Sequence, residues 1–370
     1  MKVLILTMTC GEGHNSIAKA VKEAFENSGD EISLINIYRS NKKLYSINEK
    51  GYGFCKKYIP HIYEKVWLSF KKRAPEKRDT AAVHKYVKKV QKDIFTEIES
   101  YQPDAIVCTH YYASTIVSDY IKINKLNAKS YAILTDFLPH PFWEASIYVD
   151  YVISPNSFSH EQLLKKGFSE GQIKELGLPI QKKFSTGLLR AEARKELSLN
   201  DDLFTMLLFN DRSSRKPLKV LKALVKYYPN DRVINLCNGD KKLYKKVNRY
   251  CARKKTKNVI NIVFSNDVEI VMHASDIIIT KAGCATLCEG LASGVPMLIR
   301  EKMTLNEREN KQLLLKNNAA LGFENIKEMC ACIDRLKSDK ALYNSCIENA
   351  TKIAKKNAAR DLADFVKSNA

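Results

Sequence analysis

The chain has 370 residues, 45% of them apolar and 28% charged, and Lys and Arg exceed Asp and Glu by 20. That balance excludes a disordered or fibrous chain, and no run approaches the roughly 18–20 apolar residues that cross a bilayer. The length exceeds one ordinary core, so two domains are expected.

A positive excess of this size fits a polyanionic partner, whether nucleic acid, an anionic membrane surface or a phosphate-bearing substrate. The competing account is solvated lysine kept for solubility. The ten cysteines show no CxxC pair and no His/Cys spacing of a zinc site. "CATLC" and "CAC" come closest, in helix-like sequence without further ligands, so reduced buried thiols and no metal are expected.

The pattern alternates strand and helix. "MKVLILTMT" is too short for a signal segment and reads as the first strand. Then come the amphipathic "SIAKAVKEAFENS", with Ser16 as a candidate N-terminal residue, and the strand "EISLINI". A long helical insertion precedes "DAIVCTH", a helix near 114–124, "KSYAILTDF", and "DYVISPN" leading into another helix. Strands separated by helices predict a parallel, doubly wound sheet.

The rhythm breaks around "GLPIQKKFSTGLLRAEARKELSLNDD", which marks a domain junction. It restarts with "LFTMLLF", a helix near 216–226, "DRVINLC", a helix near 240–254, "NVINIVF", "SDIIIT", a helix near 284–293 and "PMLIR". The chain is therefore α/β, with two Rossmann-like doubly wound domains expected to face a cleft, over 1–183 and 184–345. The remainder, 346–370, reads as a C-terminal helix that packs back on the first domain. Ligands of such sheets sit outside the C-terminal strand ends.

The junction "TMTCGEGHNSIAKA" carries the first chemical signal. Gly11 and Gly13 fit the start of GxGxxG, but Ser16 takes the third place and strand two ends "Asn36-Ile37-Tyr38", without the ribose-binding acid. No Walker Gly-Lys-Ser/Thr follows either. What remains is close backbone approach at two glycines, a helix N-terminus and an imidazole. That set suits a developing negative charge with a base alongside, because histidine accepts a proton near neutral pH. On spacing alone, His14 as a base and His14 as a local cap weigh equally.

"VLILTMTCGEGHNSIAKA", "PDAIVCTHYY", "LTDFLPHPFWEASIYVDYVIS", "LGLPIQKKF", "ASDIIITKAGCATLCEGLASGVPMLI" and "NERENKQLLLKNNAALG" run in one order over most of the chain. In that order they resemble the bacterial processive diacylglycerol glucosyltransferases and plant monogalactosyldiacylglycerol synthases, which share the GT-B fold with the peptidoglycan N-acetylglucosaminyltransferase. The resemblance implies a UDP-sugar in the second domain. Glu289 matches the glutamate that binds the ribose hydroxyls, a role for which an acceptor-only carboxylate is suited; an exposed helix acid is the plainer reading of a glutamate taken alone. Gly283, Cys284 and Ala285 match the turn that presents a helix N-terminus to the diphosphate, with Lys281 nearby and Thr286 just inside the helix. Asn306 and Glu307 match the pair on the donor sugar hydroxyls, and Phe264 the position beside the uracil.

In the first domain the resemblance makes His14 the acceptor-activating base or its neighbour. Gly11, Gly13, His110 and His140 fall at the acceptor side of the cleft. Asp136 either supports the base or caps local structure.

Two departures stand out. Lys281-Ala282-Gly283-Cys284 replaces the family's K-P-G-G, placing a Cβ near the phosphates. "LLFNDRSSRKP" replaces a glycine-rich loop that wraps the diphosphate. Arg212, Arg215 and Lys216 are candidates to substitute side-chain charge there; the alternative is lost donor binding in a non-catalytic relative.

Residues 41–78 hold eleven Lys/Arg against three Glu, with seven aromatics interleaved. Tyr63, Trp67 and Phe70 recur at i, i+4 and i+7, followed by Lys71, Lys72 and Arg73. This pattern fits an interfacial helix on anionic lipid, an RNA-binding surface or a core-facing stripe. A diacylglycerol acceptor, which stays in the bilayer, favours the membrane.

The combined expectation is an inverting, metal-independent transfer of glucose or galactose from UDP to diacylglycerol. It takes no cofactor beyond the donor substrate and no nucleic acid, and it occurs peripherally at the cytoplasmic face of the cell membrane. The alternative is a membrane-associated relative that binds without turnover.

Overall fold

The computed structural model describes residues 1–9, 12–41, 43–47, 51, 65, 68, 80–199, 202–210, 216–300 and 305–370. Most of the basic and aromatic stretch 41–78, with Tyr63, Trp67, Phe70, Lys71, Lys72 and Arg73, lies outside them, as do Gly11, Arg212 and Arg215. The chain divides into two compact units, Met1–Lys182 with Lys355–Ala370, and Lys183–Ala354.

In the first unit six parallel strands are β1 (Lys2–Thr7), β2 (Glu31–Asn36), β3 (Ala105–Cys108), β4 (Lys129–Ile133), β5 (Tyr151–Ile153) and β6 (Ile173–Lys174). Their order is β2-β1-β3-β4-β5-β6. Val3–Leu6 and Ala105–Cys108 are buried throughout, as expected of central strands covered on both faces. The helices are α1 (Glu12–Glu26), α2 (Ala81–Tyr101), α3 (Tyr111–Ile123) and α4 (Ser157–Leu164).

Helix α1 opens at Glu12, four residues before Ser16. Gly13 in a helix costs about 1 kcal/mol relative to Ala. Burial of Ile17, Ala18, Val21 and Phe25 along one face outweighs it. His14 therefore stands in the first helical turn rather than on a loop.

In the second unit the parallel strands are β7 (Thr205–Phe209), β8 (Arg232–Leu236), β9 (Val259–Ile262), β10 (Ile277–Thr280), β11 (Met297–Arg300) and β12 (Ala320–Phe323). They are ordered β12-β11-β10-β7-β8-β9. Between and after them run α5 (Arg190–Glu196), α6 (Pro217–Tyr227), α7 (Lys241–Lys254), α8 (Val268–His273), α9 (Cys284–Ser293), α10 (Leu305–Lys316), α11 (Ile326–Ser338) and α12 (Lys340–Ile353). Asp276, in the "ASDIIIT" motif, is structural: it accepts from Arg194 at 2.8 Å and from the Thr205 amide at 2.6 Å, tying α5 to the sheet.

The stretch 346–370 does not form one helix. Lys340–Ile353 belongs to the second unit, and α13 (Ala358–Asn369) belongs to the first. Helix α13 buries Leu362 and Val366, and Lys367 pairs with Asp30 at 2.8 Å. Where the chain re-enters the first unit, Gly177 has φ +92°, and a Cβ there would stand 2.4 Å from Lys355 Cβ. Both backbone and space require glycine in "LGLPI".

Candidate active site

Each sheet reverses its winding once, between β1 and β3 in the first unit and between β7 and β10 in the second. The crevice outside the strand ends at such a reversal is the preferred ligand position in doubly wound sheets. The segments that follow these strands carry most of the residues singled out by sequence.

In the first unit the strand ends are cross-tied. Thr109, directly after β3, donates its hydroxyl to Thr7 Oγ1 at 2.8 Å, and both side chains are buried. Its carbonyl lies 2.9 Å from His14 Nδ1. A carbonyl only accepts, so Nδ1 carries the proton and the neutral ring holds its lone pair on Nε2. Asn15, next along α1, accepts from Thr9 Oγ1 at 3.3 Å, and Asn36, at the end of β2, donates to the same hydroxyl at 2.7 Å. The position where a dinucleotide site keeps its acid is thus used to brace the turn beneath His14.

His110 is buried and caps α3, accepting from the Tyr112 amide at 3.0 Å. His140 caps the 3₁₀ turn Pro141–Ser146 in the same way, through the Phe142 amide at 3.2 Å. Both Nδ1 atoms accept, so both rings are neutral at that nitrogen. Burial, with His14 and His140 nearby, holds His110 well below the usual histidine range. Burial and the Lys166 ammonium bring His140 down to about 3. His14 meets His110 edge-on at 4.6 Å between ring centroids, and Tyr111 stacks on His140 at 4.8 Å. The structure thus gathers His14, His110 and His140 into one ring cluster. Asp136 stands beyond β4 in "LTDF", half-buried. Among the described residues the Thr109 carbonyl, a backbone atom that no reading of side chains identifies, helps to orient the His14 ring.

In the second unit β10 ends in Thr280, and Lys281, Ala282 and Gly283 lead into α9. Cys284 is the first helical residue and is buried, so its side chain is turned into the protein. At Gly283, among the described residues, an added Cβ would meet only Lys281 Cε, at 3.7 Å, and φ is −73°. Neither the backbone nor the packing of the described residues demands a glycine there. Thr286 is half-buried in the first turn, and Glu289 is buried one turn on.

Helix α10 is clamped to this turn. Glu307 pairs with Lys281 at 2.9 Å, and the buried Asn310 amide donates to the Ala282 carbonyl at 3.0 Å. Asn310 escaped sequence reasoning, though its place one turn after Glu307 on the same helix face is a usable signal. Asn306 is half-buried in the first turn of α10. Phe264 is 54% exposed beyond β9, an open aromatic face. Lys216, exposed, enters α6 in the left-handed region with φ +50°. Among the described residues no group of three or more His, Cys, Asp or Glu is placed to hold a metal ion.

Residues 14–180 match the family model for monogalactosyldiacylglycerol synthase, and residues 213–367 match that for the glycosyltransferase family 28 C-terminal domain. Monogalactosyldiacylglycerol synthase 2 of Arabidopsis thaliana is 25% identical over 97% of this chain and 79% of its own length. The processive diacylglycerol beta-glucosyltransferase of Bacillus subtilis is 23% identical, over 92% of this chain and 87% of its own. Among solved structures, the S. aureus MnaA–UDP complex superposes with a TM-score of 0.66 at 12% identity, covering 100% of this chain and 96% of the other. Acinetobacter baumannii MurG gives 0.61 at 12%, covering 99% of each. These likenesses show the GT-B fold.

Proposed function

Because the chain belongs to the monogalactosyldiacylglycerol synthase family, we propose that it transfers a hexose, glucose or galactose, from a UDP-sugar to the 3-hydroxyl of diacylglycerol. The observation that carries the chemistry is the His14 Nδ1–Thr109 carbonyl contact, which leaves the basic lone pair on Nε2 at the strand reversal. His14 Nε2 takes the hydroxyl proton as the lipid oxygen attacks the anomeric carbon. The bond from that carbon to the diphosphate oxygen breaks, and its electron pair leaves with UDP. The configuration inverts. His110 and His140, neutral and rigidly capped, shape the acceptor side with Gly11 and Gly13; Asp136 supports it from the end of β4.

The donor lies over the N-terminus of α9. Its N–H groups and Lys281 stabilise the departing diphosphate. Gly283 admits it, Thr286 lines it, Glu289 takes the ribose hydroxyls, Asn306 and Glu307 the sugar hydroxyls, and Phe264 stacks near the uracil. Arg212, with Arg215 and Lys216, supplies the charge that the absent glycine-rich loop would otherwise provide through backbone N–H groups. The sugar–diphosphate bond carries its own activation, so the scheme calls for no cofactor.

No helix among the described residues is long and apolar enough to cross a membrane. The enzyme works from the cytoplasmic side, on diacylglycerol at the inner face of the cell membrane. The basic, aromatic stretch with Tyr63, Trp67, Phe70, Lys71, Lys72 and Arg73 contributes to holding it there.

Incubation with radiolabelled UDP-glucose or UDP-galactose and diacylglycerol vesicles tests the reading. A labelled glycosyldiacylglycerol from one donor supports it. UDP binding without any labelled lipid would instead support a non-catalytic relative.

A further inference from the structure

Helices α6 and α7 bury Val220, Leu221, Leu224, Leu243 and Val247 in one core of the second unit, so they lie side by side on one face of its sheet. Lys222 Nζ, 5.5 Å from the centre of the Tyr250 ring, bridges them. The charged residues on their outward sides are all cationic. Helix α6 carries three lysines and α7 seven Lys/Arg, all exposed, and neither contains an Asp or Glu. Together they hold a charge of +10, half of the chain's formal excess.

No carboxylate of the described residues forms an ion pair with any of these ten side chains. Every other described α-helix longer than ten residues carries at least one acid. A surface charged only for solubility mixes its signs. Here Lys242 and Lys246, Lys245 and Arg249, and Arg249 and Arg253 are like-charged i, i+4 neighbours, an arrangement that weakens a helix. Folding gives no reason for it.

We propose that the α6–α7 face is a second docking surface for an anionic phospholipid bilayer. It rests on the lipid-acceptor reading above, which places the protein at such a surface. The form of the patch favours headgroups over single-stranded nucleic acid, which binds in grooves with open aromatic platforms. Tyr244 and Tyr250 are half-buried, and the exposed Tyr227 lies under Lys226. Two adjacent helices carrying ten exposed cations and no acid instead suit a plane of phosphates. Each base within a Debye length of such a plane raises partition by roughly fivefold.

The test is co-sedimentation of the full chain with phosphatidylcholine vesicles, with and without phosphatidylglycerol. The variant is Lys245→Glu/Lys246→Glu/Arg249→Glu. The control, Lys316→Glu/Lys327→Glu/Lys352→Glu, makes the same charge change elsewhere in the second unit. Partition to phosphatidylglycerol vesicles is expected to fall at least tenfold in the α7 variant and less than threefold in the control. Equal losses, or none, would overturn the proposal. So would tight, salt-sensitive binding of an RNA oligonucleotide, lost in the α7 variant while vesicle partition stays intact. Transfer to short-chain diacylglycerol in neutral detergent micelles should survive in the α7 variant. Absence of micellar transfer in the unaltered protein would count against the glycosyltransferase reading alone.

Discussion

His14 Nδ1 and the Thr109 carbonyl, 95 residues apart in sequence, meet at 2.9 Å because α1 and the end of β3 flank the same strand reversal. The contact selects the tautomer, and the Thr109–Thr7 hydroxyl pair holds the carbonyl in place. Thr7→Val removes that tie and leaves the Thr109 hydroxyl without its partner. It should cost about 1–3 kcal/mol in stability. Transfer should fall with KM for the UDP-sugar unchanged, as expected if the donor binds the other unit. Thermal unfolding with steady-state kinetics checks both.

The capped histidines predict an acid-sensitive first unit. His110 and His140 are held below the ordinary histidine value, and His140 reaches about 3. Between that value and about 6.5 the unfolded chain binds protons that the folded one refuses. Stability is therefore full above pH ~6.5 and falls as pH drops toward 3, by at most about 1.4 kcal/mol per pH unit for each ring. His110→Asn keeps a capping acceptor but removes one titrating group. Its denaturation midpoint should depend less steeply on pH than that of the unaltered protein; an identical slope would contradict the assignment.

At the second reversal, Lys281 and Glu307 should act as a unit. UDP titrations of Lys281→Met, Glu307→Gln and the double variant form a cycle. A coupling of about 0.5–3 kcal/mol is expected for groups in direct contact. Additive effects would mean that the 2.9 Å pair has no part in donor binding.

Gly283→Ala separates fold from ligand. Among the described residues the new Cβ meets nothing closer than 3.7 Å, so the melting temperature should hold. UDP affinity should drop at least ~10-fold if the diphosphate approaches the helix N-terminus over that Cα. Unchanged affinity would move the phosphates elsewhere.

The strands were legible because both sheets are parallel and buried, so β1, β3, β7, β8 and β10 appear as continuous apolar runs. The short β12, "ALGF", with Gly322 inside it, carried too little periodicity to show. The early start of α1 was hidden by Gly13, which reads as loop when the burial of Ile17 and Val21 is unseen. Of the candidate site, the side chains were singled out from motif order. The Thr109 carbonyl contact with His14 and the bond from Asn310 to the Ala282 carbonyl form only when distant segments meet. Ten of the chain's 61 Lys and Arg, with no acid among them, sit in α6 and α7, where a helix reading of "KKLYKKVNRYCARK" could have found them.

The most direct measurement compares glycolipid formation and UDP binding in His14→Ala. Loss of a general base lowers transfer by about 10²–10⁴-fold. With the donor held on the second unit, the UDP dissociation constant should stay within about twofold, well under the ~1.4 kcal/mol that a tenfold change represents. Transfer at a near-normal rate in this variant would contradict the account, because the ring set by Thr109 would then take no proton from the acceptor.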